Sequence, residues 1–318
     1  MSQAQAIVAM GGRSLEREIS LRSGHRVERA LRTLGYSVQA LDVDGDFIDR
    51  VLAERPRFVF VAMHGRGGED GTLQDLLETL GVPYTGSDPL ASALCMDKML
   101  FKRLLRLHDI PTPRFHSFNE TAFRELGGAS TFPKLLEELR LPAVVKPVAQ
   151  GSAIGIKFVT SAEQLPSAIL GAFGYGDRVL VEERVLGREL AVTVLDSPAG
   201  EDGPRALPVV ELFTPESFYS YEAHYTIGQL RMEVPAQLSD EVRARVEQVA
   251  LESYALMGCR DFARVDLILD EHEVPQVLEI NTIPGLTETG ITTAAAEAAE
   301  MSFAELVEAI VARVVALS

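Results

Sequence analysis

Short apolar runs alternate with helix-periodic stretches from the start of the chain. Ala6-Ile7-Val8-Ala9-Met10 is an apolar run ending at Gly11-Gly12, which reads as a buried strand entering a tight turn. Ser14 then offers a helix cap, with Glu16 and Glu18 in the first turn, where the helix dipole favours carboxylates. Tyr36 to Val43 and Phe58 to Met63 repeat the strand pattern. Strands alternating with helices predict an α/β fold with a doubly wound parallel sheet over residues 1–88. Ligands of such sheets bind beyond the carboxyl ends of the strands. Two loops fall there, Gly11 to Glu18 and His64 to Gly71.

The pattern changes near Asp88. Met99 to Leu107 is helix-periodic, and the proline-rich Ile110-Pro111-Thr112-Pro113 ends it. Leu141 to Pro147 is a strand running into the loop Gly151-Ser152-Ala153-Ile154-Gly155, and Val179 to Glu182 is another strand. From Glu183 onward come a tyrosine-rich loop, a helix over Ser239 to Met257, a hairpin pattern and a terminal helix over Ser302 to Val315. The Ala-rich stretch Thr292 to Glu300 is compatible with helix. The chain so divides into 1–88, 89–182 and 183–318, with residues 213–228 placed to serve as a lid.

The hairpin carries the densest chemistry. Arg264-Val265-Asp266-Leu267-Ile268-Leu269-Asp270, a break over Glu271 to Pro275, and Val277-Leu278-Glu279-Ile280-Asn281 read as two strands. Residues two apart share a face, so Arg264 points with Asp266, and Glu279 with Asn281. A bulge-free hairpin centred between His272 and Glu273 pairs Asp266 with Glu279 and Arg264 with Asn281. Two carboxylates, an amide oxygen and a guanidinium then converge. Such oxygen donors suit a hard cation such as Mg²⁺ rather than Zn²⁺. The competing reading is a structural Arg264–carboxylate pair. Carboxylates gathered on one face repel unless a cation sits among them, which favours the metal.

Composition narrows the class. Of 318 residues, 47% are hydrophobic and 24% charged, ordinary values for a globular protein. The formal charge of −16 argues against a nucleic-acid partner, which needs a basic patch. No apolar run reaches the ~18 residues of a membrane span, and the first residues carry no signal-peptide pattern. Cys95 and Cys259 lie in apolar, helix-like surroundings and read as buried filler in a reducing compartment. A cytoplasmic protein without membrane or nucleic-acid partners is expected.

Other segments suit a phosphate-bearing ligand. Lys146 stands at a strand end before the Gly151–Gly155 loop, where backbone N–H groups can cradle phosphate and the ammonium adds a point charge. The lysine precedes the glycines, so this is no Walker loop. An ordinary turn with a surface lysine is the plainer reading of that segment alone. His64 to Gly71 is either a flexible loop or one whose glycines allow close backbone approach. Tyr219, Tyr221 and Tyr225, three of the chain's seven tyrosines, cluster around His224. They either pin a loop to the core or belong to a lid that excludes water.

Taken in order, several segments resemble the D-alanine–D-alanine ligases of the ATP-grasp superfamily. They are Gly11–Ser20, His64–Gly71, Met96-Asp97-Lys98, Lys146–Gly155, Tyr219–Tyr225, Arg264-Val265-Asp266 and Glu279–Gly285. The resemblance covers nearly the whole chain. It implies an N-terminal parallel-sheet domain followed by a two-part ATP-grasp fold that holds ATP between its parts. It implies that ATP phosphorylates one D-alanine and that the amine of a second attacks the acyl phosphate, giving the dipeptide of peptidoglycan precursors. By the same resemblance, Lys98, Lys146, Gly151, Glu182, Glu183, Val185, Glu189 and His224 would contact ATP. Asp266, Glu279 and Asn281 would hold two Mg²⁺ or Mn²⁺ ions. Glu16 would bind the first D-alanine's ammonium, linked to Ser152 and Tyr225, with His64 nearby. Arg264 and the Gly285 N–H would stabilise the developing oxyanion. A homodimer is implied as well.

Three positions depart from the family pattern. His224 stands where the family has a lysine that contacts the transferred phosphate. Gly290 replaces a serine that helps hold the second substrate's carboxylate, with Thr289 and Thr292 as candidate substitutes. Glu183 follows Glu182 where the hinge usually reads Glu-Lys. These departures leave two alternatives, a carboxylate–amine ligase with another second substrate and a nucleotide-binding regulator with impaired catalysis. Tyr225 favours an amine nucleophile, since D-lactate-using relatives lack that tyrosine.

Overall fold

Strand β1 (Ala6–Met10) is the centre of a parallel sheet, flanked by β2 (Val38–Asp42) and β3 (Phe58–Val61). All residues of β1 and β3 are buried, as their unbroken apolar runs require of strands covered on both faces. Helices α1 (Arg17–Thr33), α2 (Phe47–Glu54) and α3 (Thr72–Thr79) connect and cover them. The computed structural model describes residues 5–196, 203–213 and 231–317.

Helices α4 (Pro89–Met96) and α5 (Lys98–Leu107) lead to a four-stranded antiparallel sheet. Its order is β4–β7–β5–β6, formed by β4 (Phe115–Asn119), β5 (Ala143–Pro147), β6 (Lys157–Val159) and β7 (Arg178–Glu183). Helices α6 (Glu120–Glu125), α7 (Phe132–Glu138) and α8 (Leu165–Ala172) supply a core around Phe123, Leu135 and Ile169. The second antiparallel sheet has the order β11–β10–β8–β12–β13, with β9 (Arg205–Ala206) on the edge of β8. Its other strands are β8 (Gly187–Leu195), β10 (Val210–Phe213), β11 (Arg231–Glu233), β12 (Phe262–Asp270) and β13 (Pro275–Asn281). Helix α9 (Asp240–Met257) starts at a Ser239 cap, stops at Gly258, and buries Val246, Ala250 and Tyr254 against this sheet. Cys95 and Cys259 are free thiols buried in the same core, their sulfurs 3.8 Å apart. Helices α10 (Ile291–Ala298) and α11 (Phe303–Leu317) return to the beginning of the chain. There Ile310, Val311 and Val314 join Ile7, Val8 and Phe60 in one core. The α/β class and the parallel N-terminal sheet are as expected. Among the described residues no helix is long and apolar enough to cross a membrane.

Two local expectations need correction. Helix α1 begins at Arg17, and Ser14 does not cap it. Instead the Ser14 hydroxyl donates to the His64 carbonyl and accepts from the Glu16 N–H, a short-range turn typical of serine. The hairpin also contains a bulge. Near the turn Leu269 pairs with Pro275 and Leu267 with Val277, but Asp266 pairs with Glu279 and Arg264 with Asn281. Leu278 is the additional residue. As a result Val277 and Ile280 both enter the core, while Leu278 and Glu279 both face the cleft. Without the bulge, the near-turn register would set Leu278 opposite Asp266 and leave Glu279 facing the core.

Candidate active site

A cleft of about 610 Å³ opens between the two antiparallel sheets, with Lys146, Phe158, Glu182, Glu183, Val185 and Glu189 in its walls. Lys146 and Glu182 sit near the ends of neighbouring antiparallel strands, where Val144 pairs with Glu182 and Lys146 with Leu180. The Lys146 ammonium lies 2.5 Å from Glu182 Oε1, and Lys102 Nζ lies 3.1 Å from Oε2. Burial alone would raise the Glu182 carboxyl, but Lys102 and Lys146 outweigh it and hold the group below its ordinary value. Glu182 Oε2 is buried, with the Lys102 ammonium as its charged neighbour.

An adjoining cavity of about 90 Å³ is lined by Lys98, Lys146, Glu189, Asp266 and Glu279. The Asp97 carboxylate caps α5 by accepting from Leu100 N at 3.0 Å, which fixes Lys98 at the first helical position. The Lys98 ammonium donates to the Gln150 carbonyl at 2.6 Å and stands 3.0 Å from Glu279. Burial would raise the Glu279 carboxyl, yet Lys98, Lys146 and Arg264 hold it down at about 2. Arg264 donates two 2.7 Å hydrogen bonds to Asp266, and the Asn281 amide donates a third at 2.9 Å. The structural Arg264–Asp266 pair is therefore present, with Glu279 and Asn281 on the strand beside it.

A third cavity, about 70 Å³, places Glu16, His64, Ser152, Arg264 and Gly285 around the same centre. Glu16 is buried at the start of α1, and the Ser152 hydroxyl donates to it. Burial, then the nearby Glu69 carboxylate, raise the Glu16 carboxyl above its ordinary value. A Cβ on Gly65 would lie 2.4 Å from Glu16 Oε2, and one on Gly151 would lie 3.2 Å away. Both glycines leave room for that carboxylate. Ser152 and Ala153 adopt φ of 52° and 57°, left-handed conformations that cost L-residues roughly 1–2 kcal/mol each. His64 meets the Ile283 carbonyl at 2.8 Å through Nδ1 and the Ser23 hydroxyl at 3.2 Å through Nε2. Ser23 also accepts from Leu286 N at 3.1 Å. His64 thus pins the loop that carries Gly285, whose N–H finds no acceptor among the described residues.

Adjoining cavities thus bring a buried carboxyl group, two ammonium groups and a guanidinium to one region. A family model of the D-ala D-ala ligase C-terminus matches residues 104–312, and one of the D-ala D-ala ligase N-terminus matches residues 47–87. The chain belongs to the D-alanine–D-alanine ligase family. It is 45% identical over 305 residues to a D-alanine–D-alanine ligase of Desulforudis audaxviator, covering 96% of each chain. The D-alanine–D-alanine ligase of Bacillus anthracis, solved in complex with ATP, superposes with a TM-score of 0.82 at 29% identity, covering 99% of this chain and 98% of that one. The VanG D-Ala:D-Ser ligase of Enterococcus faecalis superposes at 0.81 with 26% identity, covering 98% and 99%.

In this ligase the departures at Gly290 and Glu183 can be placed, whereas His224 and Tyr225 lie outside the described residues, as does most of the expected lid. Gly290 caps α10. Thr289 is exposed, and Thr292 is buried with its hydroxyl 3.3 Å from Thr193 Oγ1. A Cβ on Gly290 would lie 2.8 Å from the Gly285 carbonyl and 3.2 Å from that of Thr287. Gly290→Ser is therefore expected to destabilise the loop by roughly 1–3 kcal/mol and to raise the KM of the second D-alanine. A KM below that of the natural protein would overturn this.

Two contributors escaped the sequence reading. Arg26 donates to the Leu286 and Thr287 carbonyls at 3.2 and 2.8 Å and to Thr293 Oγ1 at 3.0 Å, clamping the loop after Gly285 to α1. No local pattern marks it. Lys102 did leave a signal. It follows Lys98 by one helical turn and sits on the buried face with Phe101 and Leu105, where a lysine is out of place.

Proposed function

We propose that this chain joins two D-alanines with ATP, through an acyl phosphate, to supply the dipeptide of peptidoglycan precursors. The observation that supports it best is the junction of the three cavities. Glu16, Arg264 and Gly285 line one cavity, Lys98 and Lys146 the next, and Glu189, Asp266 and Glu279 border both. A first D-alanine held through its ammonium by Glu16 and Ser152 directs its carboxylate toward the phosphate lysines. Glu182 and Glu189 hold the nucleoside, alongside Glu183 and Val185. Lys98 and Lys146 hold the phosphates, and the Gly151 turn brings its backbone close to Glu16. Attack by the amine of the second D-alanine puts negative charge on the carbonyl oxygen, where Arg264 and the Gly285 N–H receive it.

Asp266, Glu279 and Asn281 fit one or two divalent cations. The two carboxylates border the phosphate cavity and the amide lines the adjoining one, and Mg²⁺ is commonly held by one or two carboxylates jointly with phosphates. Mg²⁺ or Mn²⁺ there would neutralise phosphate charge during transfer. The division into 1–88, 89–182 and 183–318 and a cytoplasmic location, both read from the sequence, complete this proposal, with a homodimer that rests on the family resemblance.

The test is purified protein with ATP, Mg²⁺ and D-alanine, assayed for both phosphate and dipeptide. Equal amounts of the two are expected. Phosphate without dipeptide, or neither product, would refute the proposal. The engaged Thr292 and the crowded Gly290 favour one second reading, an altered second substrate. A larger yield with D-serine or D-lactate than with D-alanine would establish it.

A further inference from the structure

Lys102 has no part in the steps above, yet it is wholly buried beside the nucleotide cleft. Its ammonium donates to Thr112 Oγ1 at 2.6 Å, and that hydroxyl donates to the Val277 carbonyl at 2.7 Å. It also lies 3.1 Å from Glu182 Oε2 and 5.6 Å from the centre of the Phe115 ring. A lysine in such a place is costly unless it balances a charge. Glu182 has two ammonium groups against it, Lys102 from behind and Lys146 from the cleft. Only Lys146 lines the cleft and the phosphate cavity. One carboxylate between two ammonium groups leaves a surplus positive charge, and the accessible member of the pair can present it to an anion.

We propose that Lys102 is a positioning residue of the nucleotide site, neutralising Glu182 from behind so that Lys146 remains available to the nucleotide's phosphates. The proposal rests on reading the cleft as the ATP site. With Lys102 removed, Glu182 is left to Lys146 alone, and the lysine becomes one half of a closed buried pair. The loss then falls on phosphate binding and spares the base and ribose.

The test compares binding of Mg²⁺–ATP and of adenosine, without D-alanine, to the natural protein, to Lys102→Met and to the double variant Lys102→Met/Glu182→Gln. Thermal melts report folding. Lys102→Met should bind ATP about tenfold more weakly, the scale of one lost charge contact, with adenosine changed by less than about twofold. The double variant has no carboxylate to capture Lys146, so its ATP-to-adenosine ratio should return to that of the natural protein. If Lys102→Met does not fold, the double variant carries the test alone through that ratio. An unchanged ratio in a folded Lys102→Met protein, or a ratio still depressed in the double variant, would overturn the role of Lys102 and leave the cleft assignment standing. Failure of the natural protein itself to bind ATP would overturn the cleft assignment.

Discussion

Arg264→Ala is expected to lower turnover by about two or more orders of magnitude in a folded protein. The argument is geometric. Arg264 is fixed by two 2.7 Å hydrogen bonds to Asp266 and borders the cavity shared by Glu16 and Gly285. A donor held in place before the reaction needs no reorganisation as charge develops, and such a donor is worth about 3–4 kcal/mol of barrier. Truncation has a second effect. It leaves the Asp266 carboxylate with the Asn281 amide as its remaining partner among the contacts described, beside the ionised Glu279. Arg264→Lys separates the two effects, because lysine keeps the charge but loses the bidentate fork. It should recover only part of the rate. Dipeptide formation at saturating ATP and D-alanine is the measurement, and near-natural turnover in folded Arg264→Ala would reject the oxyanion role.

Glu279→Gln should cost at least about two orders of magnitude in turnover, since it removes a formal charge from the proposed cation site for phosphoryl transfer. Glutamine matches the shape, so the β13 bulge and the neighbouring apolar packing should persist. Lys98 then loses the carboxylate 3.0 Å away. The pH dependence follows from the sign of the shift. Glu279 titrates at about 2 in the folded protein, below its unfolded value of about 4.3. Its ionised form therefore supports the fold above the unfolded pKa, and that support is lost as pH falls toward 2. The stability gap between the natural protein and Glu279→Gln should be largest near neutral pH and narrow between about pH 5 and pH 3. Urea unfolding at several pH values would show it, and a gap that widens in acid would contradict the assignment.

Much of the architecture was legible because burial imposes periodicity. The apolar runs of β1 and β3 had no other use than a covered parallel sheet, and Ser239 and Gly258 framed α9 plainly. The hairpin is more instructive. The pairs Asp266–Glu279 and Arg264–Asn281 came out right although the strand was assumed to be regular. The real turn pairs residues one position off the assumed centre, and the bulge at Leu278 restores the difference. Alternation alone could not reveal this, because Val277 and Leu278 are both apolar and either could face inward. Ser14 misled because serine satisfies a nearby backbone group as readily as it caps a helix. Lys102 and Arg26 act through partners far along the chain, which no window of sequence displays.

The last helix also bears on how the molecule is made. Ile310, Val311 and Val314 complete the core that contains Ile7, Val8 and Phe60. A ribosome delivers the parallel sheet first and those three side chains only after both antiparallel sheets have been synthesised. At bacterial elongation rates the interval is on the order of tens of seconds. Throughout it the first domain presents an unfinished apolar face, the kind of surface that chaperones hold. Completion of the first sheet's core therefore waits on α11, and truncations near Phe303 should be recovered as aggregate.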